Sequence, residues 1–294
     1  MRRSMLFMPG NTPNMLINAA YLGADSLIFD LEDAVSPAEK DAARILIRNT
    51  IRYMDFEKVE TIVRINSVDT PFWQADIDAI LPERPNLLLL PKANCPEDVL
   101  LADRYMTSLE EQLGLEVGSV GLIPLIETAI GLENSFLIAT CTKRVKAMLL
   151  GAEDLTADLQ CARTKEGKEI QYARGRIVVA ARAAGIDVYD TPFTDVNDDE
   201  GIVDDTKFAK SLGFTGKASI SPRHIEVINS IFSPTQAEID YAYEVMDAIA
   251  LAKKQGKGAI ALRGKMIDAP IVARAERTIM TAKTLGIQRS SEDE

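Results

Sequence analysis

Two short apolar runs in this chain end in acids: Ile123-Pro124-Leu125-Ile126-Glu127-Thr128 and Met148-Leu149-Leu150-Gly151-Ala152-Glu153-Asp154. A buried parallel strand reads as a near-continuous apolar run. A carboxylate at its end reaches the C-terminal mouth of an α/β barrel, where such proteins keep their chemistry. Two acid-bearing strand ends side by side suggest a site for a hard cation. Mg²⁺ takes few carboxylates and keeps water in its remaining octahedral positions, whereas a single His and three scattered cysteines (Cys95, Cys141, Cys161) offer little to a softer metal such as zinc. The run itself leaves open which of Glu153 and Asp154 would face the ion.

Two cations belong in the same discussion. Arg64 stands in Thr61-Ile62-Val63-Arg64-Ile65-Asn66, inside an otherwise apolar strand, where a charge is costly unless it is paired. Either it makes a structural ion pair in the barrel or its guanidinium fork grips a planar carboxylate through two parallel hydrogen bonds. Lys92 follows the run Leu87–Leu90 and Pro91, and is either a second cation at the mouth or a solvated lysine opening a loop.

Such residues need strands to carry them. Eight segments have strand character and turn chemistry after them: Ser4–Met8, Ser26–Leu31, Thr61–Ile65, Leu87–Leu90, Val120–Ile126, Ala147–Leu150, Asp187–Tyr189 and Lys217–Ile220. Helical patterns lie between them. Ser36-Pro37-Ala38-Glu39 reads as a capping box with proline at the first helical position, and Gly185 and Gly213 read as helix stops. Alternation on this scale predicts an α/β fold, a (β/α)₈ TIM barrel over residues 1–232. No Gly-x-Gly-x-x-Gly follows the first strand to favour a dinucleotide-binding sheet. Residues 233–294 form a C-terminal extension, helical after the capping box Thr235-Gln236-Ala237-Glu238 and helical again after Asp268-Ala269-Pro270, and expected to be too small for a core of its own.

The whole chain sets the class. A formal charge of −11 over 294 residues, with no basic cluster, argues against a nucleic-acid partner. No segment reaches the roughly 20 apolar residues that span a bilayer. The amino-terminal Met1–Gly10 reads as a first strand rather than a secretion signal. Cysteines odd in number and widely spaced fit reduced thiols and a cytoplasmic location.

Seven motifs in order resemble one family. Arg3-Ser4-x-Leu6-Phe7-x-Pro9-Gly10, Phe29-Asp30-Leu31-Glu32-Asp33-Ala34-Val35, Val63-Arg64-Ile65-Asn66, Leu90-Pro91-Lys92, Ile126-Glu127-Thr128, Gly151-Ala152-Glu153-Asp154-Leu155 and Gly264-Lys265-Met266-Ile267-Asp268-Ala269-Pro270 together resemble the citrate lyase beta subunit and its citryl-CoA and malyl-CoA lyase relatives. The resemblance implies a Mg²⁺-dependent lyase that breaks a carbon–carbon bond of a 3-hydroxy-acyl thioester carried on coenzyme A or an acyl carrier protein. It also implies a homo-oligomer, a trimer or hexamer, with citrate lyase alpha and gamma subunits as further partners.

Carried over motif by motif, Glu127 and Asp154 become metal ligands, with Glu127 also facing the substrate. Arg64, with Lys92, meets the substrate carboxylate. Glu32 and Asp33 hold metal-bound water or orient Arg64. Asp268, reaching from a neighbouring subunit, becomes the acid or base of catalysis, while its place before Ala-Pro makes it a helix cap as well. The stretch Leu155–Leu159 departs from the tyrosine and basic residue of many citrate lyase subunits. That leaves room for a stand-alone enzyme, a malyl-CoA or methylmalyl-CoA lyase or a thioesterase. A non-catalytic partner subunit is disfavoured by the complete set of acids.

Overall fold

In the computed structural model, eight parallel strands close on themselves in chain order. They are β1 (Ser4–Pro9), β2 (Ser26–Asp30), β3 (Glu60–Arg64), β4 (Leu87–Leu90), β5 (Gly121–Ile126), β6 (Ala147–Leu150), β7 (Asp187–Asp190) and β8 (Gly216–Ser219). Each expected strand is present, with ends within a residue of those read from the sequence. The structure describes residues 1–254 and 260–290. Contacts divide the chain into a barrel unit, Arg2–Ser230, and a C-terminal unit from Ile231 onward.

The strands are buried on both faces, as parallel strands wrapped by helices must be. Met5, Ile28, Ile62, Leu89, Ile123, Leu149, Tyr189 and Ala218 pack together as one core cluster. Two buried cations outside this cluster are paired: Lys217 of β8 is fully buried and sits 2.6 Å from both Asp190 and Asp205, while Arg174 holds the same two carboxylates at 2.9 and 2.6 Å. The seam is closed by β1 against β8, with Met5 opposite Ala218. Gly216 permits that approach, since a Cβ there would stand 2.1 Å from the Arg2 carbonyl oxygen.

Gly185 and Gly213 do end their helices in the left-handed conformation. Ser36 differs from expectation. Its hydroxyl contacts the Glu39 carboxylate at 3.3 Å rather than the backbone, and a 3₁₀ turn at Pro37–Glu39 precedes the helix Lys40–Tyr53.

The C-terminal unit consists of the helix Gln236–Lys254, an antiparallel pair β9 (Ile260–Leu262) and β10 (Lys265–Ile267), and the helix Ala269–Thr284. The sequence Lys253-Lys254-Gln255-Gly256 reads as the stop of the first of these helices, and its Gln255 and Gly256 lie outside the described residues. Contrary to expectation, the unit has a small apolar cluster of its own, because both helices turn apolar residues inward: Ala242 and Val245 from one, Ala275 and Ile279 from the other, with Ile267. Among the described residues no helix is long and apolar enough to cross a membrane.

Candidate active site

Parallel register brings the site together. Asp30 is the last residue of β2 and pairs laterally with Arg64, the last residue of β3, so their side chains leave the barrel at the same height. Glu127 and Gly151 follow the last residues of β5 and β6 in the same way. The strand ends open into a cavity of about 340 Å³ whose lining includes Asp30, Asp33, Arg64, Glu127, Glu153 and Asp154 among apolar residues such as Phe7, Leu125 and Ile220.

Glu127 is buried, and its Oε1 accepts the Lys92 backbone N–H at 2.7 Å. Burial pushes its carboxyl up to about 8, with the charges of Glu32 and Asp154 adding to the rise and the Lys92 N–H and Arg64 opposing it. Gly151 is what lets β6 lie so close: a Cβ there would meet Glu127 Cβ and Oε2, each at 2.7 Å.

Asp154 and Glu153 both stand in the first turn of the helix Ala152–Asp158, and the structure separates their surroundings. Asp154 lies 4.0 Å from the Lys92 ammonium and contributes to the field on Glu127, whereas Glu153 is 3.5 Å from Arg163 and more exposed.

Arg64 departs from the substrate clamp expected of it. Its fork is taken by Asp30, Nε to Oδ1 and Nη2 to Oδ2, both at 2.7 Å, because the register puts that carboxylate beside it. Its Nη1 lies 2.9 Å from Glu32 Oε2, and its guanidinium stacks 5.2 Å from the Phe7 ring centroid. Burial opposes the charge, but the bonds to Asp30 outweigh it and the pKa is raised. The N–H groups left over are those that could meet a ligand, since Arg64 is the one cation among the described lining residues.

Lys92 is the centre of the acid cluster. Its ammonium donates to Glu32 at 3.0 Å while its own backbone N–H holds Glu127. The residue adopts φ of +50°, a left-handed conformation that costs a side-chain-bearing residue of order 1–3 kcal/mol and persists where the surrounding structure over-determines it, as the two bonds to Glu32 and Glu127 do here. Glu32 is buried and its pKa is raised, chiefly by burial, with Arg64 and Lys92 pulling the other way. Asp33 is exposed at the cavity edge. Asp268 is exposed, and its Oδ1 accepts the Ile271 N–H at 3.1 Å as cap of the helix Ala269–Thr284, in the C-terminal unit.

Two residues were not singled out from the sequence. Asp30 was hidden among three acids in Phe29-Asp30-Leu31-Glu32-Asp33, although its place as the last strand residue beside Arg64 would have marked it. Lys40, buried, donates to the Leu31 and Glu32 carbonyls at 2.6 Å each and fixes the loop after β2.

The donor set fits a hard cation. Among the described residues no three His, Cys, Asp or Glu side chains form a complete cage. Two carboxylates with water and substrate oxygens are what Mg²⁺ accepts, and a Glu127 carboxyl raised to about 8 by burial first, with the charges of Glu32 and Asp154 adding to the rise, is a site short of positive charge.

The family model for HpcH/HpaI aldolase/citrate lyase matches residues 3–222. The chain belongs to that family. It is 43% identical over 282 residues to the citrate lyase subunit beta of Leuconostoc mesenteroides subsp. cremoris, covering 96% of this chain and 93% of that one. It is 33% identical to the mitochondrial citramalyl-CoA lyase of Mus musculus, covering 97% and 87%. Protein CitE of Mycobacterium tuberculosis, solved in complex with magnesium, acetoacetate and coenzyme A, is 30% identical and superposes with a TM-score of 0.78 over 96% of this chain and 98% of that one.

Proposed function

We propose that this chain is a Mg²⁺-dependent carbon–carbon lyase that cleaves a citryl thioester, carried on acyl carrier protein or coenzyme A, to oxaloacetate and an acetyl thioester. The observation that carries the reading is the meeting of Glu127 and Asp154 beside Arg64 in one cavity at the strand ends, in a chain so similar along its length to a citrate lyase beta subunit.

The reaction breaks the bond between the carbinol carbon and the methylene next to the thioester. The hydroxyl gives its proton to water and becomes the ketone, and the bonding pair leaves as the thioester enolate, which takes a proton from an acid that water then reprotonates. Glu127 and Asp154 would hold Mg²⁺, which would supply a Lewis acid to lower the hydroxyl pKa and stabilise the developing charge. Arg64 offers its remaining N–H groups to the substrate carboxylate. Lys92 keeps Glu32, Asp154 and Glu127 in register and adds positive charge for the substrate at the rim. Glu32 and Asp33 hold water on the metal side. Asp268, from a neighbouring copy in a homo-oligomer, gives the proton to the enolate.

A second reading, a stand-alone coenzyme A lyase for a smaller acyl group, is favoured by the apolar part of the lining and by Arg64 being its only cation among the described residues. Acetyl-thioester release from citryl-CoA, malyl-CoA and methylmalyl-CoA, measured side by side, decides between them. Dominant turnover of citryl-CoA supports the first reading, dominant turnover of malyl-CoA or methylmalyl-CoA the second. No turnover of any, with Mg²⁺ and with citrate lyase partner subunits added, refutes both.

A further inference from the structure

Asp30 lines the cavity, yet it has no acceptor capacity left for a ligand. Oδ1 takes the Glu32 N–H at 2.9 Å and Arg64 Nε at 2.7 Å, while Oδ2 takes the Ala34 N–H at 3.2 Å and Arg64 Nη2 at 2.7 Å. A carboxylate offers about four such sites, so every one is filled. The donors come from two places: the loop that carries Glu32 and Asp33, and the guanidinium at the end of β3. That loop is held from its other side by Lys40 on the Leu31 and Glu32 carbonyls and by Asn66 Nδ2 on Leu31 at 3.0 Å. The Asp30 side chain is only 4% exposed and that of Arg64 12%. A buried pair of this kind adds little net stability over apolar residues of the same volume, so stability alone does not explain it.

We propose that Asp30 is a positioning residue: its one carboxylate, itself held by the N–H groups of Glu32 and Ala34, sets the angle at which Arg64 presents its remaining N–H groups to the substrate. The inference rests on Arg64 meeting the substrate, as set out above. Aspartate is the residue this requires. Asparagine would turn an N–H₂ group toward the guanidinium, and glutamate would push the fork outward by a methylene.

A double-mutant cycle tests it on the full-length protein with Mg²⁺, using whichever thioester the wild type turns over. Asp30→Asn should raise KM about 10- to 100-fold, the scale of one misaligned charge-assisted hydrogen bond, with Mg²⁺ affinity by calorimetry and the unfolding midpoint near wild type. Added to Arg64→Lys, it should cost no more than about twofold further, because its effect runs through Arg64. Penalties that multiply, or a parallel fall of Mg²⁺ affinity and unfolding midpoint, would overturn the inference. So would a damaged Arg64→Lys beside a silent Asp30→Asn. A silent Arg64→Lys instead removes the substrate role of Arg64 itself, and with it the basis of this inference. Should Asp30→Asn not fold, Asp30→Glu, which keeps the charge, enters the same cycle with the same expected and overturning results.

Discussion

Glu127→Gln should make the metal-free protein more stable as pH rises, although it removes a residue on which activity depends. The wild-type carboxyl stands at about 8 in the folded chain against an ordinary 4.5. Between those values the folded state keeps a proton that the unfolded chain has released, so unfolding becomes easier by about 1.4 kcal/mol per pH unit. From pH 5 to pH 7 the loss amounts to roughly 2–3 kcal/mol. It is complete once pH passes the folded value, and below about pH 4.5 it is absent. Glutamine cannot ionise and has no such loss at this position. Urea unfolding of both proteins in EDTA, across pH 5–8, should therefore show curves that diverge steadily, with the variant ahead at the alkaline end. Mg²⁺ should reverse the order for the wild type, since binding must expel the Glu127 proton. Its affinity should climb nearly tenfold per pH unit up to about pH 8 and release protons that buffers of different ionisation enthalpy report. Wild-type and variant curves that stay parallel in EDTA would refute the placement of this carboxyl in a desolvated, acid-rich pocket.

Asp154→Asn should abolish turnover and weaken Mg²⁺ binding, whereas Glu153→Gln, whose partner is Arg163, should retain most activity; comparable losses in kcat would refute the choice between these neighbours. Gly151→Ala drives a methyl into Glu127, so a destabilisation of about 1–3 kcal/mol should accompany a fall in kcat of order 10²-fold, and thermal unfolding together with steady-state kinetics would reveal a harmless methyl. Co-expressing Asp268→Ala with Glu127→Gln should restore part of the activity that each variant lacks alone, because a hybrid oligomer joins an intact barrel to an intact Asp268; hybrids isolated by two affinity tags yet inactive would exclude a contribution across subunits.

The barrel was legible because each strand is an apolar run closed by turn residues, and the same rule exposed Glu127, which directly follows its run. Lateral relations were not legible. Asp30 and Arg64 lie 34 residues apart, and only the register of β2 on β3 makes one the partner of the other. The two-point grip foreseen for Arg64 is real, but the carboxylate it holds belongs to the protein. Lys92 carries no glycine-like signal for its left-handed backbone, so the use of its N–H by Glu127 could not be read from Pro91-Lys92-Ala93. Lys217 was readable as part of a strand, but the carboxylates that neutralise it come from β7 and from the helix Asp199–Leu212, which no local pattern announces.

Closure of β1 on β8 also bears on how the chain is made. The first strand leaves the ribosome early and soon finds β2, but its other edge waits for Gly216–Ser219, about 210 residues later. At ordinary elongation rates that is roughly 10–40 s during which a hydrogen-bonding edge stands open, the kind of edge that recruits stray strands. Nascent barrels of this protein are thus most exposed to misassembly just before β8 emerges.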